Sequence, residues 1–166
     1  MSELKKLLLA HTGYSAWAMR QVHEACSGLT VEQLERRFGA SHSSLLGTFR
    51  HIHDGERVWL IRLGQGDSER LPVEPAPARS FESLVQSWPE LWEGYRRWLE
   101  AVSEADLSHE VSTVLPDGAF FRVPRWQIVL HAINHSSFHR GQIITMLRAV
   151  DVRPPNTDLT AYYATV

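Results

Sequence analysis

Cysteine is almost absent from this sequence, and so is any long apolar run. A single cysteine, Cys26, cannot form an intrachain disulfide, so the fold depends on its hydrophobic core. Cys26 lies inside an apolar helical pattern, where a lone cysteine is usually a small core residue. No segment approaches the roughly 18 consecutive apolar residues that a membrane-spanning helix requires. We therefore expect a globular protein without a membrane partner.

The chain also lacks an excess of charge of one sign. It has 17 lysines and arginines against 19 acidic residues, spread along its length, and a net charge of −2. Binding to nucleic acid or to an anionic membrane usually needs a basic block, and none is present. The N-terminal apolar run is too short for a signal peptide and has no cleavage site of small residues. These features favour a cytoplasmic protein that does not bind nucleic acid.

The pattern of apolar residues along the chain is mainly helical. Apolar residues recur with a 3.6-residue period in four long segments, which run approximately over Glu3–Cys26, Ser43–Leu63, Phe81–Ser103 and Pro124–Val150. Ser41, Ser43 or Ser44 could cap the second segment and Ser80 the third, while Pro89 predicts a kink or a late start. The segment Thr30–Glu35 predicts a short turn or helix.

A turn signal separates the third and fourth helical segments. Pro116-Asp117-Gly118 stands between two β-prone runs, which predicts a hairpin of Glu110–Leu115 with Ala119–Val123. The C-terminal tail after Val150 has no long periodic pattern, and we expect it to be mostly extended or turned. The sequence thus predicts an all-α fold. It is one domain over residues 1–166, a four-helix bundle with a small β-hairpin between its third and fourth helices.

The most informative pattern is HAINHSSFHRGQ, residues 131–142, in which His131, His135 and His139 recur every fourth residue. Side chains four apart on a helix have Cβ atoms about 5–6 Å apart, so two neighbouring imidazoles can bind one ion. Each four-residue step drifts by about 40° around the helix axis, so at most two of the three are expected to share an ion. Solvated histidines, or histidines bonded to carbonyl oxygens, are the commoner outcome of one such pair.

A metal held by two histidines of one helix needs a third ligand from another element. The second helix offers FRHIHDGERVWL, with His51 and His53. On a regular helix these two side chains point about 160° apart, so only one of them can face the fourth helix. The helical wheel slightly favours His53, and the spacing alone leaves both candidates open.

Four stretches resemble the DinB/YfiT-like superfamily, whose members are metal-dependent bacterial four-helix bundles. SHSSLLGTFRHIHDGERVWLIRLGQG resembles the family's second helix, where a histidine precedes an acidic residue and a Trp-Leu pair. AINHSSFHRGQIITMLR resembles its hallmark, an Asn-His followed by His-Arg-Gly-Gln. HTGYSAWAM and RPPNTDLTAYY are similar to its first helix and its tail. The resemblance implies that His51, His135 and His139 bind a divalent metal. The additional histidines His53 and His131 could substitute for these ligands or support them.

The resemblance also implies a class of chemistry. Zinc is the expected ion and nickel the second choice, because both suit imidazole. Three neutral imidazoles leave at least one coordination position for water, a substrate or a thiolate. Characterised relatives include thiol S-transferases that use low-molecular-weight thiols, so we expect a metal-dependent enzyme with a small-molecule substrate. A metal-dependent hydrolase is one alternative, and a non-catalytic, stress-associated bundle that binds metal or a small ligand is another.

Other polar and aromatic residues complete these expectations. Acceptors for the second ring N–H of each ligand are expected among Glu56, Asp54, Asn134 and Gln142. Glu56 falls on an inward position, so we expect it to pair with a histidine or an arginine. Arg140 is expected to pair with Asp158 rather than with an anionic substrate. The resemblance implies a homodimer through helix faces, to which an exposed Trp92/Trp98 edge could contribute.

Overall fold

The computed structural model describes residues 1–39, 42–65, 79–114 and 120–166, and in these ranges the chain is mainly helical. In chain order the elements are α1 Glu3–Cys26, α2 Val31–Glu35, α3 Leu45–Gln65, α4 Phe81–Ala101, α5 Glu104–Ser108, β1 Glu110–Val114, β2 Phe120–Pro124, α6 Arg125–Ala149 and α7 Leu159–Tyr163. The four long helices form the predicted bundle. Helix α3 contacts α6 and α4, and α1 contacts the same two helices. Helices α3 and α6, which carry the candidate ligands, are therefore direct neighbours.

Side-chain caps fix where the long helices begin. Ser80 accepts a hydrogen bond from the backbone N–H of Ser83 and so starts α4. Gly47 N–H donates to Ser44 Oγ over 3.0 Å, which makes Ser44 the predicted serine that caps α3. The alternative of a late start at Pro89 is wrong, because α4 begins at Phe81 and runs through the proline. The Ser80 cap and the buried side chains of this first part of the helix stabilise the turns that precede Pro89.

The hairpin lies between α4 and α6, as predicted, with slightly different bounds. Strands β1 and β2 are antiparallel, and Glu110 pairs with Pro124 at the open end of the ladder. Pro124 is thus the last residue of β2 and the N-cap of α6, with extended backbone angles, rather than part of the helix's first turn. Leu115 and Ala119, the predicted inner ends of the strands, lie outside the described residues.

Two short helices were missed by the sequence pattern. Helix α5 follows α4 after a break at Val102 and Ser103, and α7 lies in the tail that was expected to be mostly extended or turned. Each has five residues, which is too short to show a 3.6-residue period. Capping starts both of them: the side chain of Ser103 accepts from Asp106 N–H, and that of Asp158 from Thr160 N–H.

The core fills the space between the four long helices with aliphatic and aromatic side chains. Cys26 is fully buried in it, and burial raises the pKa of its thiol to about 12, which confirms the expected core role. Trp92 and Trp98 are half-buried and pack against the same core, so the expectation of an exposed tryptophan edge is wrong. None of the helices in the described ranges is both long and apolar enough to cross a membrane.

Candidate metal centre

His51 of α3 and His135 and His139 of α6 meet across the interface of these two helices. The Nε2 atom of His51 lies 2.9 Å from Nε2 of His135 and 3.1 Å from Nε2 of His139. The three ring centroids lie 4.4 to 4.8 Å apart. The structure therefore places Nε2 of His51 within 3.1 Å of the same ring nitrogen of both His135 and His139, the other two histidines that the family resemblance selected.

These separations fit a metal ion. Two nitrogens that are each about 2.1 Å from one ion stand roughly 3.0 Å apart at a right angle and roughly 3.4 Å apart at a tetrahedral angle. The two Nε2–Nε2 distances of 2.9 and 3.1 Å are close to this range. A single proton on His51 Nε2 can serve only one of its two neighbours at a time, whereas one ion accepts lone pairs from all three rings. The donor set, made of imidazole nitrogens alone, suits zinc or nickel better than magnesium or calcium.

A hydrogen bond to Gln142 fixes the tautomer of one ring. The Nδ1 atom of His139 lies 2.9 Å from Gln142 Oε1, an oxygen that can only accept, so Nδ1 carries the proton and donates. Nε2 of His139 then presents a lone pair to the cluster. Gln142 is one of the four acceptors expected from the sequence, and it acts on a ligand as predicted.

Burial keeps the rings of His51 and His135 neutral. The pKa of His51 is lowered to about 4, mainly by burial and also by the nearby rings of His42 and His139. Burial is also the main cause that lowers the pKa of His135 to about 4, followed by the neighbouring His139 and His51. Both imidazoles are therefore uncharged at neutral pH, which is the form that binds metal.

A fourth histidine, His42, lies beside the three and was missed by the sequence reasoning. The possible ligand atoms of His42, His51 and His139 all lie within 4.8 Å of one another, so this set also fits a metal ion. His42 precedes α3 and belongs to no helix, so helical spacing gives no information on where its ring lies. The only available signal was its presence in the stretch SHSSLL, a few residues before His51.

The other two candidate histidines lie apart from this cluster. His53 is buried on another face of α3, where Nδ1 accepts from Arg79 over 2.9 Å and Nε2 contacts Ser87 Oγ over 2.9 Å. His53 has no ring nitrogen left for a metal, and the slight preference of the helical wheel for it is not supported. His131 packs edge-on against Trp59, with ring centroids 4.7 Å apart and a larger separation of 5.9 Å from His135.

The buried polar residues around the site have other partners than those expected. Glu56 accepts from Trp88 Nε1 over 2.8 Å and from Ser136 Oγ over 2.5 Å, rather than pairing with a histidine or an arginine. Burial raises the pKa of its carboxyl group, and these two hydrogen bonds oppose that rise. Ser136 follows His135 directly, so Glu56 anchors the α6 backbone beside a candidate ligand.

Arg140, Asp54 and Asn134 also differ from the expectation. The guanidinium of Arg140 donates to Ser137 Oγ over 2.9 Å and lies over the ring of Tyr14. Its expected partner Asp158 instead caps α7. Tyr14 O–H donates to the carbonyl of Thr157, so Arg140 is linked to the tail indirectly. Asp54 pairs with Arg79, and Asn134 is exposed.

Comparison with known proteins is consistent with this fold. The family model described as the DinB family matches residues 1–165. The chain is 21% identical over 155 residues to "Protein DinB" of Bacillus subtilis (strain 168), a match that covers 90% of this chain and 89% of that protein. The crystal structure of a DinB-like protein from Bacillus cereus ATCC 10987 superimposes with a TM-score of 0.61 at 20% identity. That match covers 87% of this chain and 91% of the other.

Proposed function

The chain belongs to the DinB family, and from this premise we propose that it is a divalent-metal-dependent enzyme. Its ligands are His51, His135 and His139. The observation that carries the proposal is the convergence of their three Nε2 atoms, at 2.9 and 3.1 Å from the shared His51 nitrogen. Zinc is the ion we expect first, and nickel is the second choice because both suit imidazole ligands.

The residues of the site would favour an anionic donor atom of the substrate, such as a thiolate sulfur. A bound ion would act as a Lewis acid that lowers the pKa of a bound water or thiol. No carboxylate belongs to the three ligands, so the ion would keep its full double charge and favour an anionic partner. The exposed ring of Phe138 lies edge-on to His139, with centroids 5.0 Å apart, and offers an apolar surface at the rim. A thiolate on a partly apolar molecule fits both features.

The thiol must come from the substrate side. The only cysteine of the chain is buried in the core, and burial raises the pKa of its thiol to about 12, so Cys26 supplies no thiolate at neutral pH. A low-molecular-weight thiol as cosubstrate is therefore the form of chemistry that we propose. It would make the protein a thiol-dependent transferase.

A non-catalytic metal-binding bundle is the second candidate, and a specific observation favours it. The ring of His42 lies against the cluster and is close enough to fill a further coordination position. An ion that is saturated by protein ligands has no place for a substrate.

The first experiment is the metal content of untagged protein by mass spectrometry. We expect about one zinc or nickel per chain, lost in both His51→Ala and His135→Ala. His131→Ala is the matched control, because this histidine lies on the same helix but outside the cluster, and it should retain the metal. An absence of bound metal even after reconstitution with zinc would refute the metal site.

Catalytic use of a thiol is tested on the same protein loaded with cobalt(II). Binding of 2-mercaptoethanol in its thiolate form should produce a sulfur-to-cobalt charge-transfer band in the near ultraviolet. A metal-loaded protein without this band at saturating thiol would contradict the transferase and leave the metal-binding bundle as the better description.

A further inference from the structure

His42 stands on the turn before α3, yet its ring lies within the cluster formed by two rigid helices. It stacks on His51 with ring centroids 3.7 Å apart and an interplanar angle of 17°. It also meets His139 with centroids 5.0 Å apart. Two nitrogens bound to one ion are at most about 4.2 Å apart, and the possible ligand atoms of His42, His51 and His139 already lie within 4.8 Å of one another. Because a ring lone pair lies in the ring plane, the His42 ring must also rotate out of its stack on His51 to direct a nitrogen to the same ion.

The backbone around His42 is built to hold this position. Ser43 has a φ of 64°, in the left-handed region that is unfavourable for a residue with a Cβ atom. Ser44 N–H donates to the carbonyl of His42 over 2.8 Å, and Phe38 N–H donates to the carbonyl of Ser43 over 2.6 Å. A backbone outlier that is fixed from both sides is most often found where a side chain must be placed for function.

A glycine in the first turn of α3 contributes to the same arrangement. A Cβ atom on Gly47 would clash with the backbone carbonyl oxygen of His42. The close approach of the His42 backbone to α3 is therefore possible only because this position has no side chain. The unfavourable angle at Ser43 and the glycine at position 47 both serve to place one imidazole on the ring of His51.

We infer that His42 is a fourth metal ligand, and that it occupies the coordination position which a substrate thiolate would take. The inference rests on the proposed function, because it needs the metal bound by His51, His135 and His139. The other three ligands are on long helices, whereas His42 is on a turn, where its side chain can rotate away from the ion while its backbone stays in place. His42 would then close the resting site and yield to the substrate.

The test uses the full chain loaded with zinc and labelled with 15N in its histidine rings. Long-range 1H–15N correlation spectra distinguish a metal-bound ring nitrogen from a free or protonated one. We expect four metal-bound rings in the wild type and three in His42→Ala. His42→Phe separates a ligand from a stacking partner, since phenylalanine keeps the ring but has no nitrogen. The His42→Phe variant should also show three metal-bound rings.

Zinc affinity gives a second measurement, by competition with a chelator. Because loss of groups that merely support a ligand typically weakens metal binding about 10–100-fold, both His42 variants should bind zinc at least about tenfold more weakly. His131→Ala, the control on α6, should bind zinc as the wild type does. Wild-type affinity in His42→Phe but not in His42→Ala would assign His42 a stacking role and overturn the inference.

Two further outcomes separate this inference from the proposed function. A wild type that binds zinc through three rings, with the His42 nitrogens unshifted, overturns the inference and leaves the proposed function intact. A wild type that binds no zinc overturns both. If His42 fills the substrate's position, cobalt-loaded His42→Ala should also bind 2-mercaptoethanol more tightly than the wild type. An equal thiol affinity would show that His42 does not compete for that position.

Discussion

Two groups of histidines in this bundle each contain rings whose pKa burial lowers to about 4, and they differ in the direction of their ring nitrogens. The converging cluster comprises His42, His51, His135 and His139, and the packed pair comprises His23 of α1 and His53 of α3. Burial lowers the pKa to about 4 for both members of the packed pair, as it does for His51 and His135. Lowered pKa values therefore do not distinguish a metal site from a structural one here.

What distinguishes the two groups is where each ring nitrogen is directed. In the converging cluster, Nε2 atoms face one another at 2.9 and 3.1 Å. In the packed pair, His53 uses its two nitrogens on Arg79 and Ser87. The ring of His23 lies among aromatic side chains, 4.7 Å from Trp88 between centroids. The comparison indicates that convergence of lone pairs, rather than lowered basicity, is the property to look for.

The largest expected effect is the contribution of His23, a member of the packed pair, to acid sensitivity. The pKa of His23 is about 4 in the folded protein and about 6.5 in the unfolded chain. As the pH falls from 6.5 to 4, the unfolded state therefore binds a proton at His23 that the folded state does not bind. The free energy of unfolding falls by up to roughly 3 kcal/mol over this pH range. His23→Phe removes this group and suits the aromatic surroundings of Phe49, Phe81 and Trp88. Urea unfolding of metal-free protein at pH 7 and at pH 4 should show a smaller loss in the variant.

The control for this prediction is His11→Phe on the same helix, which should retain the acid sensitivity of the wild type. His23→Phe should also bind zinc normally at pH 7, because its ring lies outside the converging cluster. Equal acid sensitivity in all three proteins would show that His23 does not contribute to the loss. A loss of zinc binding in His23→Phe would contradict the division into two groups.

The second prediction concerns the tautomer that makes His139 a ligand. Gln142→Met removes the acceptor of the His139 Nδ1 proton while keeping a side chain of similar length. Loss of a hydrogen-bond partner of a metal ligand typically weakens metal binding about 10–100-fold. We expect about tenfold weaker zinc binding in a chelator competition. Gln127→Met, which replaces a half-buried amide elsewhere on α6, is the matched control and should leave the affinity unchanged. Unaltered affinity in both variants would mean that the His139 ring is fixed by packing alone.

Much of the fold could be predicted from the sequence, because it depends on local patterns. The four helices follow from their periodicity, and the caps by Ser44 and Ser80 follow from side-chain chemistry next to those periods. The spacing indicated two candidate pairs, His131–His135 and His135–His139. The family resemblance was needed to select the second pair and to select His51 over His53. The homodimer and the cytoplasmic location stay predictions.

The parts that could not be predicted depend on contacts between residues far apart in the chain. Glu56 meets Trp88 and Ser136 only after three helices have packed together, and Arg140 meets Tyr14 across the α1–α6 interface. His42 was missed because its position depends on the left-handed angle at Ser43 and on the missing side chain of Gly47. Neither property has a period that a helical pattern would reveal.

The smallest expected effect comes from the helix surface that faces His135. A Cβ atom on Gly55 would lie 3.0 Å from Cε1 and 3.3 Å from Nδ1 of His135, so Gly55→Ala should tilt this ring by a few tenths of an ångström. Because Cε1 is bonded to Nε2, the tilt moves the candidate ligand atom away from the shared point. We expect about threefold weaker zinc binding, which corresponds to roughly 0.7 kcal/mol.

Gly64→Ala is the matched control for this change, since nothing lies within 4 Å of a Cβ atom at that position of the same helix. Replacing a helical glycine by alanine favours the helix by up to about 1 kcal/mol, so Gly64→Ala should raise thermal stability without affecting zinc affinity. Gly55→Ala should gain less stability and lose affinity. If both variants gained stability equally and bound zinc equally well, the ring of His135 would have room to move without loss. Zinc affinity would then depend less on the exact positions of the ring nitrogens than on which residues form the cluster.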